Sequence, residues 1–195
     1  MMKMKFILFS IISICLILLN STAQNSRKNM IIIETDLGKM KIELELKKAP
    51  RHSENFLKLA GEGFFDGTTF HRVVPGFVIQ GGDPLSKDDD PSNDGTGGPG
   101  YTIPAEIGLS HLRGSIGAAR KGDQVNPHRE SNGSQFYICL EPQPSLDKMG
   151  YTIFAKVVDG MNVADKIASQ PVKGQAPVKP VVMKKVYVEQ SKQKK

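Results

Sequence analysis

The sequence predicts an all-β domain, a barrel or a sandwich, that also carries two helices. Short apolar or alternating runs recur through residues 31–188, and most are too short for helices. Only residues 53–60 and 161–168 show helical spacing. The 19 Gly and 12 Pro fall between the runs without a triplet period, so they mark turns rather than a collagen. With 39% hydrophobic and 24% charged residues, the 195-residue chain is globular and has the size of one domain. It contains no solenoid-type repeat.

The elements follow in order. Ile31-Ile32-Ile33, a turn at Asp36-Leu37-Gly38, and Met40, Ile42 and Leu44 alternating with Lys41, Glu43 and Glu45 predict a hairpin. Pro50 followed by Ser53–Ala60 predicts a helix with proline in its first turn and Gly61 at its end. Phe70–Val74 and Phe77–Gln80 flank Pro75-Gly76 and form a second hairpin. Residues 81–110 are rich in Gly, Pro and Asp and are expected to be loops. Strands are expected at Ser115–Ala119, Gln135–Leu140, Ile153–Val158 and Val181–Val188, with a helix at Met161–Ala168.

Residues 1–23 combine Lys3 and Lys5, the apolar run Phe6–Leu19 and a small-residue exit ending at Ala23. That is the form of a secretory signal peptide cut after Ala23, and the run falls short of the ~20 residues a spanning helix needs. Cys15 follows the bulky Ile14, which argues against lipid attachment. The expected organisation is a signal at 1–23, a polar lead-in at 24–29, a domain at 30–189 and a basic tail at 190–195. The mature chain is then periplasmic or secreted, without stable membrane association. It keeps only Cys139, expected to be a buried structural thiol in a strand.

The charge supports this division. The formal +6 suggests a nucleic-acid partner, but residues 29–190 hold 19 of the 26 basic side chains against all 20 acidic ones, a net of −1. Nucleic-acid binding is therefore not expected. Other chemistry also lacks a footing. Gly95–Gly100 matches G-x-G-x-x-G but follows an acidic loop instead of a strand. Asp90-x-Ser92-x-Asp94-Gly95 resembles the start of a calcium loop, but Tyr101 stands where a bidentate Glu should close it. His52, His71, His111 and His128 lack zinc-ligand spacing, and no nucleophile elbow is present. Neither metal nor cofactor is expected.

One segment, Phe70–Asp83, stands apart. It places Arg72 among apolar neighbours and, across Pro75-Gly76, brings Phe77 and Gln80 near it. A cation, an amide and an aromatic on rigid strands suit a pre-organised site, although for this segment taken alone an ordinary hairpin with a solvated Arg is the favoured reading. Together with Asn132–Ile138, Leu146-Asp147 and Phe154–Val157, the segment closely resembles the cyclophilin family of peptidyl-prolyl cis–trans isomerases. The resemblance runs in order over about residues 30–189.

The resemblance implies a closed eight-stranded antiparallel β-barrel capped by two helices. It implies a catalytic role for Arg72 with Gln80 as its supporting amide, and a proline pocket at Phe77, Val78, Tyr137 and Leu146. Gln135 lines an adjoining groove, Ala119 and Tyr151 count among the substrate contacts, and Arg120 falls where the family offers main-chain groups to the peptide. Implied partners are proline-containing and unfolded exported polypeptides, bound by a monomer. A peptide-binding or chaperone module using the same groove is the alternative.

Several positions depart from the family pattern. Ser145 replaces a common Trp, which implies weak cyclosporin binding. Tyr137 replaces a common Phe, so its hydroxyl needs water or a partner. Tyr151 replaces a common His after a one-residue insertion. The loop Gly122–Asn132 is longer than in short family members and is expected to be a loose surface loop rather than a specificity element.

Overall fold

The computed structural model describes residues 30–189. The signal-like segment 1–23 with Cys15, the lead-in 24–29 and the tail 190–195 lie outside the described residues. An eight-stranded sheet is built from β1 (Met30–Thr35), β2 (Gly38–Leu44), β3 (Arg72–Val74), β4 (Val78–Gly81), β6 (Ser115–Ala118), β8 (Phe136–Cys139), β9 (Ile153–Asp159) and β12 (Met183–Val188). Its order is β12-β1-β2-β9-β6-β8-β4-β3, and all its pairs are antiparallel. Two ribbons complete the β structure: β5 (Thr102–Ile103) with β7 (Ser131–Asn132), and β10 (Val172–Lys173) with β11 (Ala176–Pro177).

The closed barrel implied by the resemblance is corrected to a curled, open sheet. No ladder joins the edges β3 and β12; a single bridge, Thr69 with Val182, lies between them. Backbone bonds reinforce that bridge, Phe70 N–H to Val181 O (3.0 Å) and Met183 N–H to Thr68 O (2.8 Å). The ladder stops there because β3 has only three residues and the Val73 N–H is taken by the Gln175 carbonyl (2.7 Å).

Helix α1 (Pro50–Gly61) carries proline in its first turn. It has no side-chain cap of its own. The Glu106 carboxylate fills that role from a distant loop, accepting the N–H groups of Arg51 and His52 (3.1 Å each). The helix buries Phe56, Leu59 and Ala60 against β9 and β12, while α3 (Met161–Ala168) buries Val163, Ala164 and Ile167 against β2, β3 and β4. A third, five-residue helix, α2 (Pro144–Lys148), was not apparent from periodicity because it is barely longer than one turn.

Inside the curl, Phe136 meets Phe56, Phe65 and Phe70 edge-on, at centroid distances of 5.3, 5.9 and 6.2 Å. Such contacts add to the burial of ring area. Phe136 is 1% exposed. Phe136→Ala is expected to cost about 3–5 kcal/mol of unfolding free energy, measured by urea denaturation.

Candidate active site

Strand pairing aligns the candidate residues. In register, Arg72 on β3 stands opposite Gln80 on β4, Gln80 opposite Tyr137 on β8, and Tyr137 opposite Gly117 on β6. The β3–β4 turn uses Gly76 at φ 72°, a left-handed conformation that glycine adopts without strain. Phe77 belongs to this turn rather than to the strand expected for it, since Val74 pairs with Val78. Its ring centroid lies 5.9 Å from the Arg72 guanidinium carbon.

Arg72 is oriented from two sides. Nη1 donates to Gln80 Oε1 (3.2 Å), and Nε donates to Gln175 Oε1 (2.6 Å), between β10 and β11. Among the described residues Nη2 has no protein partner. Gln80 Nε2 donates to Gln135 Oε1 (3.0 Å), and Gln135 Nε2 donates to the Gly97 carbonyl (2.9 Å). The fully buried Asp83 carboxylate lies behind, accepting from Leu85 N–H (2.8 Å), Gly97 N–H (3.0 Å) and more distantly Gln135 (3.4 Å). A Cβ at Gly97 would overlap Asp83 Oδ1, so the glycine-rich run serves this close approach. The acidic run beside it bonds within itself, Asp90 Oδ1 accepting from Ser92 N–H (3.0 Å). Among the described residues no three His, Cys, Asp or Glu side chains converge as metal ligands.

Beside Arg72 lies an apolar cluster separate from the main core. Val78, Tyr137, Cys139 and Leu146 are buried in it, and Phe77, Ala119 and Tyr151 pack against them half-buried. The four pocket residues implied by the resemblance, Phe77, Val78, Tyr137 and Leu146, thus meet in one place, together with Ala119 and Tyr151 from the other substrate contacts. Burial pushes the Cys139 thiol up to about 12, in keeping with an inert structural thiol. Next to the cup, a groove of about 550 Å3 is lined by Gln80, Ala119, Arg120, Lys121 and Gln135, among others. A larger groove of about 1200 Å3 runs along β1, β2 and β12 and shares no residue with this site.

Residues 30–188 match the family described as cyclophilin type peptidyl-prolyl cis-trans isomerase/CLD. The chain belongs to that family. It is 43% identical over 147 residues to a peptidyl-prolyl cis-trans isomerase of Synechococcus elongatus, covering 71% of this chain and 92% of that protein. It is also 43% identical over 137 residues to peptidyl-prolyl cis-trans isomerase B of Bacillus subtilis, covering 69% and 86%. The crystal structure of a Cryptosporidium parvum cyclophilin superposes with a TM-score of 0.74 at 30% identity, covering 84% of this chain and 99% of that one. The protein is a peptidyl-prolyl cis–trans isomerase.

Two features of this cyclophilin add to the sequence reading. The loop after Arg120 is exposed, as expected, and carries its own ion pairs. Asp123 accepts from Arg120 Nη1 (2.6 Å) and, through its other oxygen, from Arg129 Nη2 (2.8 Å). The Arg120 and Arg129 guanidiniums hold the Asp123 carboxyl below its usual range. The Arg120 side chain also has more to do than expected. It is 2% exposed, donates to the Met149 carbonyl (2.7 Å), and lies 4.3 Å over the Tyr151 ring. The exposure of Arg120 therefore belongs to its main chain.

Sequence reasoning missed Asp83, Gln175 and His111 as supports of this site. Their partners are up to 103 positions away, so no local spacing marks them. Asp123→Ala is expected to speed tryptic cleavage between residues 121 and 130 while the melting temperature stays within a few degrees; unchanged cleavage would count against the clasp.

Proposed function

We propose that the protein accelerates cis–trans exchange at X–Pro bonds of exported polypeptides, with Arg72 stabilising the twisted amide. An amide resists rotation by ~18–20 kcal/mol because the nitrogen lone pair is conjugated with the carbonyl. For X–Pro the two isomers differ little in energy, yet they exchange slowly. A catalyst needs no nucleophile and forms no covalent intermediate. It has to bind the twisted amide, with its pyramidal and more basic nitrogen, better than either planar form.

The observation that carries this reading is the Arg72 guanidinium, held through Nε and Nη1 and without a partner at Nη2 among the described residues, beside the apolar cup. A permanent cation with planar donors can serve the amide nitrogen or the carbonyl region as charge shifts. Held by Gln80, it needs little reorganisation at the moment of twisting. Phe77, Val78, Ala119, Tyr137, Leu146 and Tyr151 take the proline ring. Gln135 and the Arg120 main chain line the path of the flanking residues. A solved cyclophilin of Cryptosporidium parvum, with a TM-score of 0.73 at 30% identity over 83% of this chain, was crystallised in the presence of the dipeptide Ala-Pro, which supports the choice of ligand. The signal-like form of residues 1–23 supports export, and the near-neutral body supports polypeptide clients over nucleic acid.

A protease-coupled assay on an Ala-Pro tetrapeptide tests the mechanism. Arg72→Ala is expected to lose ~10²- to 10³-fold in kcat/KM, as the removal of a transition-state donor does, with unchanged circular dichroism. Gln80→Ala should lose less, because Gln175 still holds Nε. Full turnover by Arg72→Ala would falsify the role given to the guanidinium. Peptide binding by wild type without acceleration would instead mark a binding module.

A further inference from the structure

The floor of the cup contains a polar chain that the isomerase mechanism has not used. The Tyr137 hydroxyl lies 2.8 Å from His111 Nε2, and the two rings stack with an interplanar angle of 13°. His111 Nδ1 lies 2.6 Å from Asp147 Oδ1, and the same oxygen accepts the His111 backbone N–H (2.9 Å). His111 is 1% exposed and Tyr137 4%. A Cβ at Gly117 would overlap the Tyr137 ring, so the phenol occupies space that only glycine leaves free on the neighbouring strand. Tyr151 meets the same ring edge-on at 6.1 Å.

The carboxylate fixes one end of the chain. An ionised carboxylate only accepts, so His111 Nδ1 carries a proton and donates to Asp147. At the other end the Tyr137 hydroxyl and His111 Nε2 bond to each other. Burial raises the phenol above its ordinary pKa and keeps it protonated. For Asp147, partial desolvation is outweighed by the hydrogen bonds from His111, which hold its carboxyl below the usual range. The phenol hydroxyl thus has His111 as its partner. An unpartnered hydroxyl there would be a buried polar group without compensation, or would turn to seek a partner.

We propose that His111 and Asp147 are positioning residues for the isomerase: they hold the Tyr137 ring by its hydroxyl as the fixed floor of the proline cup. The inference rests on the reading of the cup as the proline site. The chain ties together three parts of the cup wall. Tyr137 comes from β8, His111 from the segment before β6, and Asp147 from α2, directly after Leu146. The Gln143 N–H bonds the His111 carbonyl (2.8 Å), which fastens the start of α2 to the same segment. The His111 side chain thus bonds both to Tyr137 on β8 and to the residue that follows Leu146 on α2.

The test is a double-mutant cycle in the X–Pro exchange assay, with KM and kcat separated. His111→Leu is expected to lower kcat/KM about tenfold, mainly through KM, because one buried hydroxyl loses its partner. In a Tyr137→Phe background the hydroxyl is gone, and the same His111→Leu change should cost less than about twofold relative to that background. Equal losses in both backgrounds would make His111 a general structural residue and overturn the proposal. Arg72→Ala in the same assay distinguishes the two readings. If it is inactive while His111→Leu matches wild type, only this inference fails; if it is fully active, the proline-site reading fails. A second measurement depends on neither mutant folding nor activity. Long-range 15N–1H spectra of the wild-type protein should show a proton on His111 Nδ1, and an Nδ1 without a proton would overturn the proposal.

Discussion

The site depends on strand register, and the core sets that register. Arg72, Gln80, Tyr137 and Gly117 stand in line across β3, β4, β8 and β6. The next row along the same strands is Val73, Ile79, Ile138 and Ile116, each no more than 1% exposed. Because side chains alternate faces with a period of two, a slip of one residue would drive Gln80 inward and turn the isoleucines out. Burial of Ile79, Ile138 and Ile116 therefore does more than stabilise the sheet. It keeps a cation, an amide and an aromatic floor on one line, a few ångströms apart.

Support for that line comes from distant segments. The Gly95–Gly100 run packs against this line: its Gly97 carbonyl and N–H close the space between Gln135 and Asp83. A buried carboxylate is costly unless it is satisfied, and Asp83 is satisfied by donors from its own turn, from Gly97 and from Gln135. Gln175 reaches Arg72 from the opposite side, from a ribbon that also occupies the free edge of β3. One residue, Gln175, thus helps keep the sheet open through its carbonyl and orients the guanidinium through its side chain.

Much of this was legible in the sequence. Alternation in Met40–Leu44 and helical spacing in Met161–Ala168 marked β2 and α3 because each buries one face. Phe77, Val78, Tyr137 and Leu146 could be grouped through the resemblance, and they meet in one cluster. The two-residue strands β5, β7, β10 and β11 were not legible, being too short to show a period. His111 was weighed only as a zinc ligand, because its true partners, Tyr137 and Asp147, are 26 and 36 residues away. The loop after Arg120 reads as solvated in its composition. Within it Asp123 lies between two guanidiniums, a contact that spacing alone does not reveal.

The apolar cup shares no side chain with the main core, although both are carried by the same strands. This two-sidedness has an evolutionary consequence. On the proposed reading, in which the cup takes the proline ring, replacements among Phe77, Ala119, Leu146 and Tyr151 would retune which proline contexts are accepted while the Phe136-centred interior keeps its packing. Substrate preference and fold would then be free to change separately, one on each side of the same strands.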